Sequence, residues 1–319
     1  MPRTDLLLNL AKAGSQGDQV GVRRTLEAIV ADERGKQHHV VADRLLEVLS
    51  LGESARASAP IEAASSPLLE IVPRKSLRDM VLTSAVRQAA DELVEEQQRA
   101  DLLRSHGIEP RNRVLLVGEP GNGKTSFAEA LAGNLAVPLL VVRYEAIIGS
   151  YLGETAMRLA RLFDRVRARR CVFFFDEFDA IGKERGDKHE TGEIKRVVSS
   201  LLLNVDALPS YVVTVAATNH PELLDRAIWR RFQLRLELPK PAPTEILEWL
   251  DRFERGLGLP LGLAKKAIAT RLEGLSFAEL DELCGDIQRR LVLAGSSPAL
   301  KEIVSSRLAQ WQARAAVRR

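Results

Sequence analysis

A glycine-rich stretch, GEPGNGKTS at residues 118–126, carries residue types that bind phosphate. Its glycines, lysine and threonine satisfy the spacing G-x-x-x-x-G-K-[ST] between an apolar run and a helical pattern. Such glycines let backbone N–H groups point at phosphate oxygens, and the start of the helix adds a favourable dipole. Lys124 would contact the β- and γ-phosphates, and the Thr125 hydroxyl would face Mg²⁺. The motif predicts a nucleotide site formed by Gly118, Glu119, Pro120, Gly121, Asn122, Gly123, Lys124, Thr125 and Ser126.

A pair of carboxylates follows the apolar run in CVFFFDEFDAIG, where Asp176 and Glu177 end a predicted strand. A carboxylate at a strand end beside the phosphate loop can hold the water shell of Mg²⁺, and we predict this role for Asp176. A second carboxylate can polarise the attacking water as general base, and we predict this role for Glu177. Acidic residues are common at strand ends simply because the following loops are exposed to solvent, but the preceding apolar run favours a functional pair. The sequence therefore predicts hydrolysis as well as binding.

The stretch GSYLGETA, residues 149–156, has two interpretations. It resembles a helix start, with Ser150 near the N-cap, Glu154 in the first turn and Tyr151 packed as a staple. It also fits a mobile loop that presents Tyr151 and Leu152 to a ligand. The residues alone leave both interpretations open.

Short apolar runs alternate with amphipathic helical patterns between residues 68 and 240. Because several runs are apolar throughout, they are typical of parallel strands that are buried on both faces. The pattern predicts an α/β fold with a doubly wound, parallel, five-stranded P-loop sheet. The five runs are RVLLVG (113–118), PLLVVRY (138–144), CVFFFD (171–176), YVVTVAAT (211–218) and FQLRLELP (232–239).

The flanking segments are helical in pattern. Residues 1–50 contain three helical patterns, TDLLLNLAKAG, DQVGVRRTLEAIVADERG and HHVVADRLLEVLS, which predict a small N-terminal module. Residues 51–67 are small, polar and proline-containing, as in a flexible linker. Residues 68–240 would form the large ATPase subdomain, and residues 241–319 a helical lid with a C-terminal helix. We expect the N-terminal module to recruit an adaptor or substrate; the alternative is a stabilising extension.

The composition is that of an ordinary soluble protein, with 45% hydrophobic and 28% charged residues. A net charge of +3 is too small to argue for nucleic acid by itself. Cys171 and Cys284 lie far apart among apolar residues, which predicts reduced core thiols. The sequence lacks a signal-peptide pattern and any run of about 20 apolar residues, so we expect a cytoplasmic protein without membrane contact.

Taken together, residues 68–295 resemble the AAA branch of the AAA+ ATPases. The stretch HGIEPRNRVLLVGEPGNGKT is similar to the family's entry into its phosphate loop, which implies that Gly107 and Ile108 lie near the adenine of ATP. FFFDEFDAIG is similar to the hydrolysis motif. VAATNHPELLDRAIWRRFQLRLELP is similar to the second region of homology. This likeness implies that Asn219 is the polar sensor near the γ-phosphate, and that Arg230 and Arg231 are arginine fingers for a neighbouring subunit.

Some positions differ from the common family pattern. GLSFAELDELC at residues 274–284 resembles the lid motif loosely, with Ala278 at the alanine position, where this branch lacks an arginine. Glu119 and Asn122 replace the more common Pro and Thr, but neither change removes a phosphate ligand. Arg230 and Arg231 are adjacent, as in katanin-like and spastin-like members.

The resemblance also bears on the tyrosine. Tyr151-Leu152-Gly153 matches the aromatic-hydrophobic-glycine pattern of the central pore loop, and residues 182–196 would hold a second inner loop, although a solvated loop explains their charges equally well. The chain has neither H-E-x-x-H nor G-x-S-x-G, so any degradation would need a separate protein. These features predict a bacterial-type, single-ring ATPase, a hexamer that uses ATP and Mg²⁺ to unfold, thread or disassemble a protein partner. Alternatives are a nucleic-acid remodeller or loader, and a nucleotide-gated scaffold for a separately encoded partner enzyme.

Overall fold

The structure is a computed structural model that describes residues 4–15, 19–36, 67–143, 152–179, 200–294 and 300–317. These residues fall into two compact units, within Met1–Ser66 and Pro67–Arg319. In the first unit, helices α1 (Thr4–Ser15) and α2 (Gln19–Gly35) pack against each other and bury Ala13, Ile29 and Val30. The third predicted helix, at residues 38–50, lies outside the described residues.

The second unit contains a six-stranded sheet with the strand order β1-β3-β4-β5-β2-β6. Strands β2 to β6 are parallel to their neighbours in the sheet, whereas β1 pairs antiparallel with β3 at one edge. Each predicted run contains one of the five parallel strands. The strands are β1 (Leu68–Ile71), β2 (Arg113–Val117), β3 (Leu139–Val142), β4 (Cys171–Phe175), β5 (Val212–Thr218) and β6 (Leu234–Glu237).

The prediction of an α/β, doubly wound sheet is confirmed, but the sheet has one strand more than predicted. Strand β1 has only four residues and pairs with a neighbouring strand on one side only. Its residues do not form a continuous apolar run, and Leu69 is 49% exposed. An edge strand of this kind gives almost no periodic signal in the sequence.

Helices cover both faces of the sheet, and the central strands are buried on both sides. On β4, Val172 and Phe174 face one core, while Phe173 and Phe175 face the other. The buried Cys171 also lies in the second core, and both cysteines are free thiols, as the sequence predicts. The helices are α3 (Ser84–Gln98), α4 (Ala100–Ser105), α5 (Lys124–Asn134), α6 (Leu152–Arg167), α7 (residues 200–206) and α8 (Arg226–Trp229).

A separate helical core follows the sheet. It is formed by helices α9 (Pro243–Leu257), α10 (Lys265–Arg271), α11 (Phe277–Leu293) and α12 (Leu300–Val317). Helix α11 begins with a capping box, in which Ser276 and Glu279 satisfy each other's backbone N–H groups. No helix among the described residues has both the length and the apolar character needed to cross a bilayer.

The parallel connections determine which residues share an edge of the sheet. Strands β5 and β6 both run parallel to β2, so the chain must return from the carboxyl end of β5 to the amino end of β6. Residues directly after β2, β4 and β5 therefore meet at one edge. Residues directly before β6 lie at the opposite edge.

Candidate active site

An open cleft of about 520 Å³ lies at the carboxyl edge of the sheet. Its volume falls within the range of roughly 300–1,000 Å³ that is usual for small-molecule sites. Three sequence-predicted segments meet there: the phosphate loop after β2, the Asp-Glu pair after β4, and Asn219 after β5. The predicted residues that line the cleft are Pro120, Gly121, Asn122, Gly123, Lys124, Thr125, Ser126, Asp176, Glu177, Asn219 and Ala278.

The ammonium group of Lys124 lies inside the phosphate loop. Its Nζ donates hydrogen bonds to the carbonyl oxygens of Gly118 at 2.7 Å and Glu119 at 3.0 Å. Lys124 is buried, and burial lowers the pKa of its ammonium from the ordinary value, against the opposing charges of Asp176 and Asp179. Gly118 and Glu119 thus contact the key lysine through their backbones. The Glu119 side chain instead pairs with Lys240 at 2.7 Å.

Two glycines allow the loop its shape. Gly121 and Gly123 have φ values of +81° and +84°, in the left-handed region that side chains disfavour. The carbonyl oxygen of Gly121 accepts a hydrogen bond from the backbone N–H of Ala278 at 3.0 Å. A Cβ atom on Gly121 would lie 3.0 Å from the Ser276 Oγ. The start of helix α11 therefore docks directly on the phosphate loop.

The hydroxyl of Thr125 and the carboxylate of Asp176 meet inside the cleft. Thr125 Oγ1 donates to Asp176 Oδ2 at 2.9 Å. The backbone N–H of Glu177 donates to the other Asp176 oxygen at 3.0 Å. Glu177 has φ +48°, a left-handed conformation that costs a non-glycine residue on the order of 1 kcal/mol. Its exposed carboxylate projects from a turn that the neighbouring residues hold in place.

Asp179 holds this turn, although the sequence analysis did not assign it a role. It is buried, and its Oδ1 accepts hydrogen bonds from Thr218 Oγ1 at 2.9 Å and from the backbone N–H of Asn219 at 3.4 Å. The backbone N–H of Phe178 donates to the carbonyl of Ala217 at 2.8 Å. Asp179 thus fixes the Asp176–Glu177 turn to the end of β5. The third acid of DEFD, following an apolar Phe, was the available signal.

Asn219 is half-buried and lines the cleft. Its Oδ1 is buried and has no hydrogen-bond partner within the described part of the chain. A buried acceptor of this kind costs free energy unless a ligand or water satisfies it. The site therefore has an acceptor available for a bound molecule.

A segment before α3 closes another side of the cleft and was missed by the sequence analysis. Lys75, Asp79, Met80 and Val81 line the cleft. The segment is anchored on α5, because Asn134 Oδ1 accepts hydrogen bonds from the Ser76 hydroxyl at 3.0 Å and the Leu77 N–H at 2.9 Å. The only local signal was the capping box between Ser76 and Asp79.

Gly107 and Ile108, in contrast, do not line this cleft. They precede β2, and the adjacent Glu109 accepts a hydrogen bond from the Ser210 hydroxyl at 2.6 Å. Ser210 itself precedes β5. Gly107 and Ile108 thus belong to the amino edge of the sheet, and Ile108 is 55% exposed. Closeness in sequence to the phosphate loop does not bring them to it, because strand β2 separates the two ends.

Arg230 and Arg231 also lie away from the cleft. They follow α8 and come just before β6, at the amino edge of the sheet. Arg230 is exposed, whereas Arg231 Nε donates to Asp206 Oδ2 at 2.6 Å. The predicted pore-loop residue Tyr151 lies outside the described residues. Leu152 and Gly153 are described only as the first backbone residues of α6.

The residues of the cleft fit a nucleotide with Mg²⁺. A loop with left-handed glycines before a helix N-terminus presents N–H donors to phosphate. The Thr125 hydroxyl and the Asp176 carboxylate supply the oxygen atoms that Mg²⁺ prefers. A buried lysine bound to carbonyl oxygens can exchange them for phosphate oxygens.

The fold and this cleft together define a P-loop nucleotide-binding protein. Comparison with known families gives a match of residues 114–240 to the ATPase family associated with various cellular activities, AAA. Most of the chain is matched by a relative named as an uncharacterized AAA family ATPase, y4kL, of Sinorhizobium fredii. The two are 36% identical over 302 residues, which cover 92% of this chain and 90% of the relative. The chain belongs to the AAA family of ATPases, enzymes that bind and hydrolyse ATP.

Other relatives are matched over a smaller share of their length. A putative 26S proteasome regulatory subunit homolog of Methanothermobacter marburgensis is 33% identical over 195 residues, covering 60% of this chain and 52% of the relative. The ATP-dependent zinc metalloprotease FtsH 2 of Symbiobacterium thermophilum is 30% identical over 253 residues, covering 76% of this chain and 43% of the relative. The chain thus spans about half the length of these two relatives.

Proposed function

We propose that this chain is a ring-forming motor, a hexamer, that uses ATP hydrolysis to unfold, thread or disassemble a protein partner. The observation that carries the proposal is the separation of Glu177 from Arg230. Glu177 lies at the carboxyl edge of the sheet, and Arg230 lies at the amino edge. The five residues of β2 alone span about 13 Å between these edges. An arginine so placed suits the cleft of a neighbouring copy better than its own.

Within one chain, the cleft residues have complementary roles in this proposal. The phosphates of ATP replace the carbonyls of Gly118 and Glu119 as acceptors for Lys124. Thr125 and, through water, Asp176 would hold Mg²⁺, which would neutralise phosphate charge when bound. Glu177 takes the proton of the water that attacks the γ-phosphorus, as the bond to the bridging oxygen breaks and ADP leaves. Asn219 Oδ1 accepts a hydrogen bond from that water.

An arginine from the neighbouring copy completes the site. The transferred phosphoryl group has charge spread over its oxygens, and a guanidinium supplied in trans stabilises that charge. Such a site is incomplete in a single copy, so activity requires assembly. Proteins of the AAA family are typically oligomeric, which supports this requirement.

A protein substrate is supported by the relatives and by the sequence of the predicted pore loop. One relative's name refers to a proteasome regulatory subunit, and the other's to an ATP-dependent protease. Tyr151 in SYLGE offers a broad aromatic surface that can pass over varied peptide side chains. If Tyr151 acts in this way, polypeptide is the ligand that should stimulate turnover.

The test is the steady-state ATPase rate of the wild type and Tyr151→Ala, each alone, with an unfolded polypeptide and with single-stranded DNA. We expect polypeptide to stimulate the wild type several-fold and Tyr151→Ala not at all. Tyr211→Ala is a matched control, because Tyr211 precedes β5 at the amino edge of the sheet. Stimulation by DNA alone would favour a nucleic-acid remodeller. Polypeptide stimulation that survives in Tyr151→Ala would contradict threading by this loop.

A further inference from the structure

The adjacent residues Arg230 and Arg231 have different surroundings. Within the part of the chain that the structure describes, the exposed guanidinium of Arg230 has no ion-pair or hydrogen-bond partner. Arg231 is only 27% exposed and is bound to Asp206. Two residues that are equivalent by sequence are therefore different in structure.

Asp206, at the end of α7, holds two arginines at once. Its Oδ2 accepts from Arg231 Nε at 2.6 Å, and its Oδ1 accepts from an Arg113 guanidinium nitrogen at 2.7 Å. Arg113 is the first residue of β2. The ion pairs thus connect the turn that contains Arg231 to the central sheet through one carboxylate. Charge-assisted hydrogen bonds of this kind are about twice as strong as neutral ones.

The residues on either side of the two arginines are held as well. Phe232 is buried and makes an edge-to-face contact with Phe178, with 6.0 Å between ring centroids. Arg235 donates two hydrogen bonds to the carbonyl of Trp229, at 2.7 and 3.2 Å, and its guanidinium lies 5.7 Å from the centre of the Trp229 ring. The backbone of the turn is thereby held on both sides of Arg230.

We propose that Arg230 alone reaches the nucleotide of the neighbouring copy, and that Arg231 and Asp206 are positioning residues that hold the turn for it. This inference rests on the proposed function, in which an arginine acts in trans. An arginine finger stabilises the transition state more when less of it must reorganise, because the cost of reorganisation offsets part of the interaction. The Arg231–Asp206–Arg113 cluster holds the backbone from which Arg230 projects, so that only the Arg230 side chain must still be ordered.

The test compares the turnover number of assembled protein for seven variants, one of them a control, with the wild type. Arg230→Ala should lose on the order of 10³-fold, as expected for an arginine finger. Arg231→Ala and Asp206→Ala should each lose about 10- to 100-fold, the scale of a small misplacement of a catalytic group. The double variant Arg231→Ala/Asp206→Ala should be no worse than Asp206→Ala alone, because the loss of Asp206 already removes the contact to Arg231.

Conservative variants separate positioning from direct action. Arg231→Lys should retain most of the turnover, because a lysine can still pair with Asp206. Arg230→Lys should remain impaired, because it lacks the planar fork that matches phosphate oxygens. Binding of ATP to the unassembled chain should equal that of the wild type for each variant, since none of these residues lines the chain's own cleft. Arg226 is an exposed arginine on the short helix α8, directly before Arg230, and Arg226→Ala is the control that should leave turnover unchanged.

Three outcomes of these turnover measurements would contradict the proposal in different ways. Wild-type turnover in Asp206→Ala, with Arg231→Ala as damaging as Arg230→Ala, would overturn the positioning role and leave both arginines as fingers. Faster turnover in Asp206→Ala would overturn it too, because Asp206 would then restrain Arg231. Unchanged turnover in Arg230→Ala would overturn the proposed trans site itself. Size-exclusion chromatography and thermal melts show which variants are folded and assembled.

Discussion

The cleft and the arginine turn of residues 229–232 differ in how completely one chain satisfies them. In the cleft, Lys124, Thr125 and Asp176 are bound to groups of the same chain, and the phosphate loop is fixed to α11. In the turn, all neighbours are held but Arg230 is exposed and unpaired among the described residues. One chain thus forms the nucleotide cleft from its own residues, whereas Arg230 lies outside that cleft.

The strongest test of this comparison mixes two defective variants. Glu177→Gln should bind ATP and lose about 10²- to 10⁴-fold in turnover, the range for a general base. Arg230→Ala should lose a similar amount. If base and finger come from different copies, a 1:1 mixture contains sites with both residues intact. With random assembly these are about a quarter of all sites, and that share of wild-type turnover should return.

The readout is ATPase rate against mixing ratio, with Glu177→Gln mixed with the double variant Glu177→Gln/Arg230→Ala as control. That control mixture contains no intact base and should stay inactive. Absence of recovery in assembled mixtures of the two single variants would place both residues in one site, contrary to the comparison.

A smaller effect is expected where helix α11 meets the phosphate loop. Gly121→Ala adds a Cβ atom 3.0 Å from Ser276 Oγ and 3.1 Å from Ala278 Cβ, at φ +81°. Gly274→Ala is the matched control, with φ +88° and no atom within 4 Å of the added Cβ. In both variants, backbone strain should lower the free energy of unfolding by roughly 1–2 kcal/mol. Only Gly121→Ala should also bind ATP about tenfold more weakly, since overpacking costs about 1–3 kcal/mol.

Calorimetric titration with ATP and denaturant unfolding measure the two quantities for each variant. Equal ATP affinities in the two variants would show that the contact between α11 and the loop does not shape the cleft.

The smallest effect concerns the buried Lys124. Burial lowers its pKa in the folded state, so at alkaline pH, between that pKa and the unfolded value near 10.4, the unfolded chain binds more protons. The Lys124 contribution to the free energy of unfolding therefore rises with pH in this window. Below the window both states are protonated and the contribution is constant.

The measurement is nucleotide-free unfolding from pH 8 to 11 for the wild type and Lys124→Met, with the exposed Lys266→Met as control. The difference between wild type and Lys124→Met should change with pH in the stated direction, and the control should not. A flat difference would mean that Lys124 is solvated in the nucleotide-free cleft.

The sequence predicted the parallel strands, the P-loop, and the residues that meet after β2, β4 and β5. Apolar runs and phosphate-binding spacings are local patterns, so they can be recognised in the sequence. It did not predict β1, which is a short edge strand, or the segment at residues 75–81 that lines the cleft. It also expected Gly107 and Ile108 near the nucleotide, but they lie at the other edge, because the five residues of β2 separate them from the phosphate loop.

The order and type of neighbouring residues were thus enough to predict the five parallel strands and the phosphate-binding half of the site. The contacts of the two adjacent arginines, in contrast, depend on the tertiary structure. Arg230 and Arg231 are the same residue type in adjacent positions, but of these two only Arg231 pairs with Asp206 of α7, which lies 25 residues earlier in the chain. Contacts between distant segments depend on how strands are connected and how helices pack, so they cannot be predicted from a local sequence pattern.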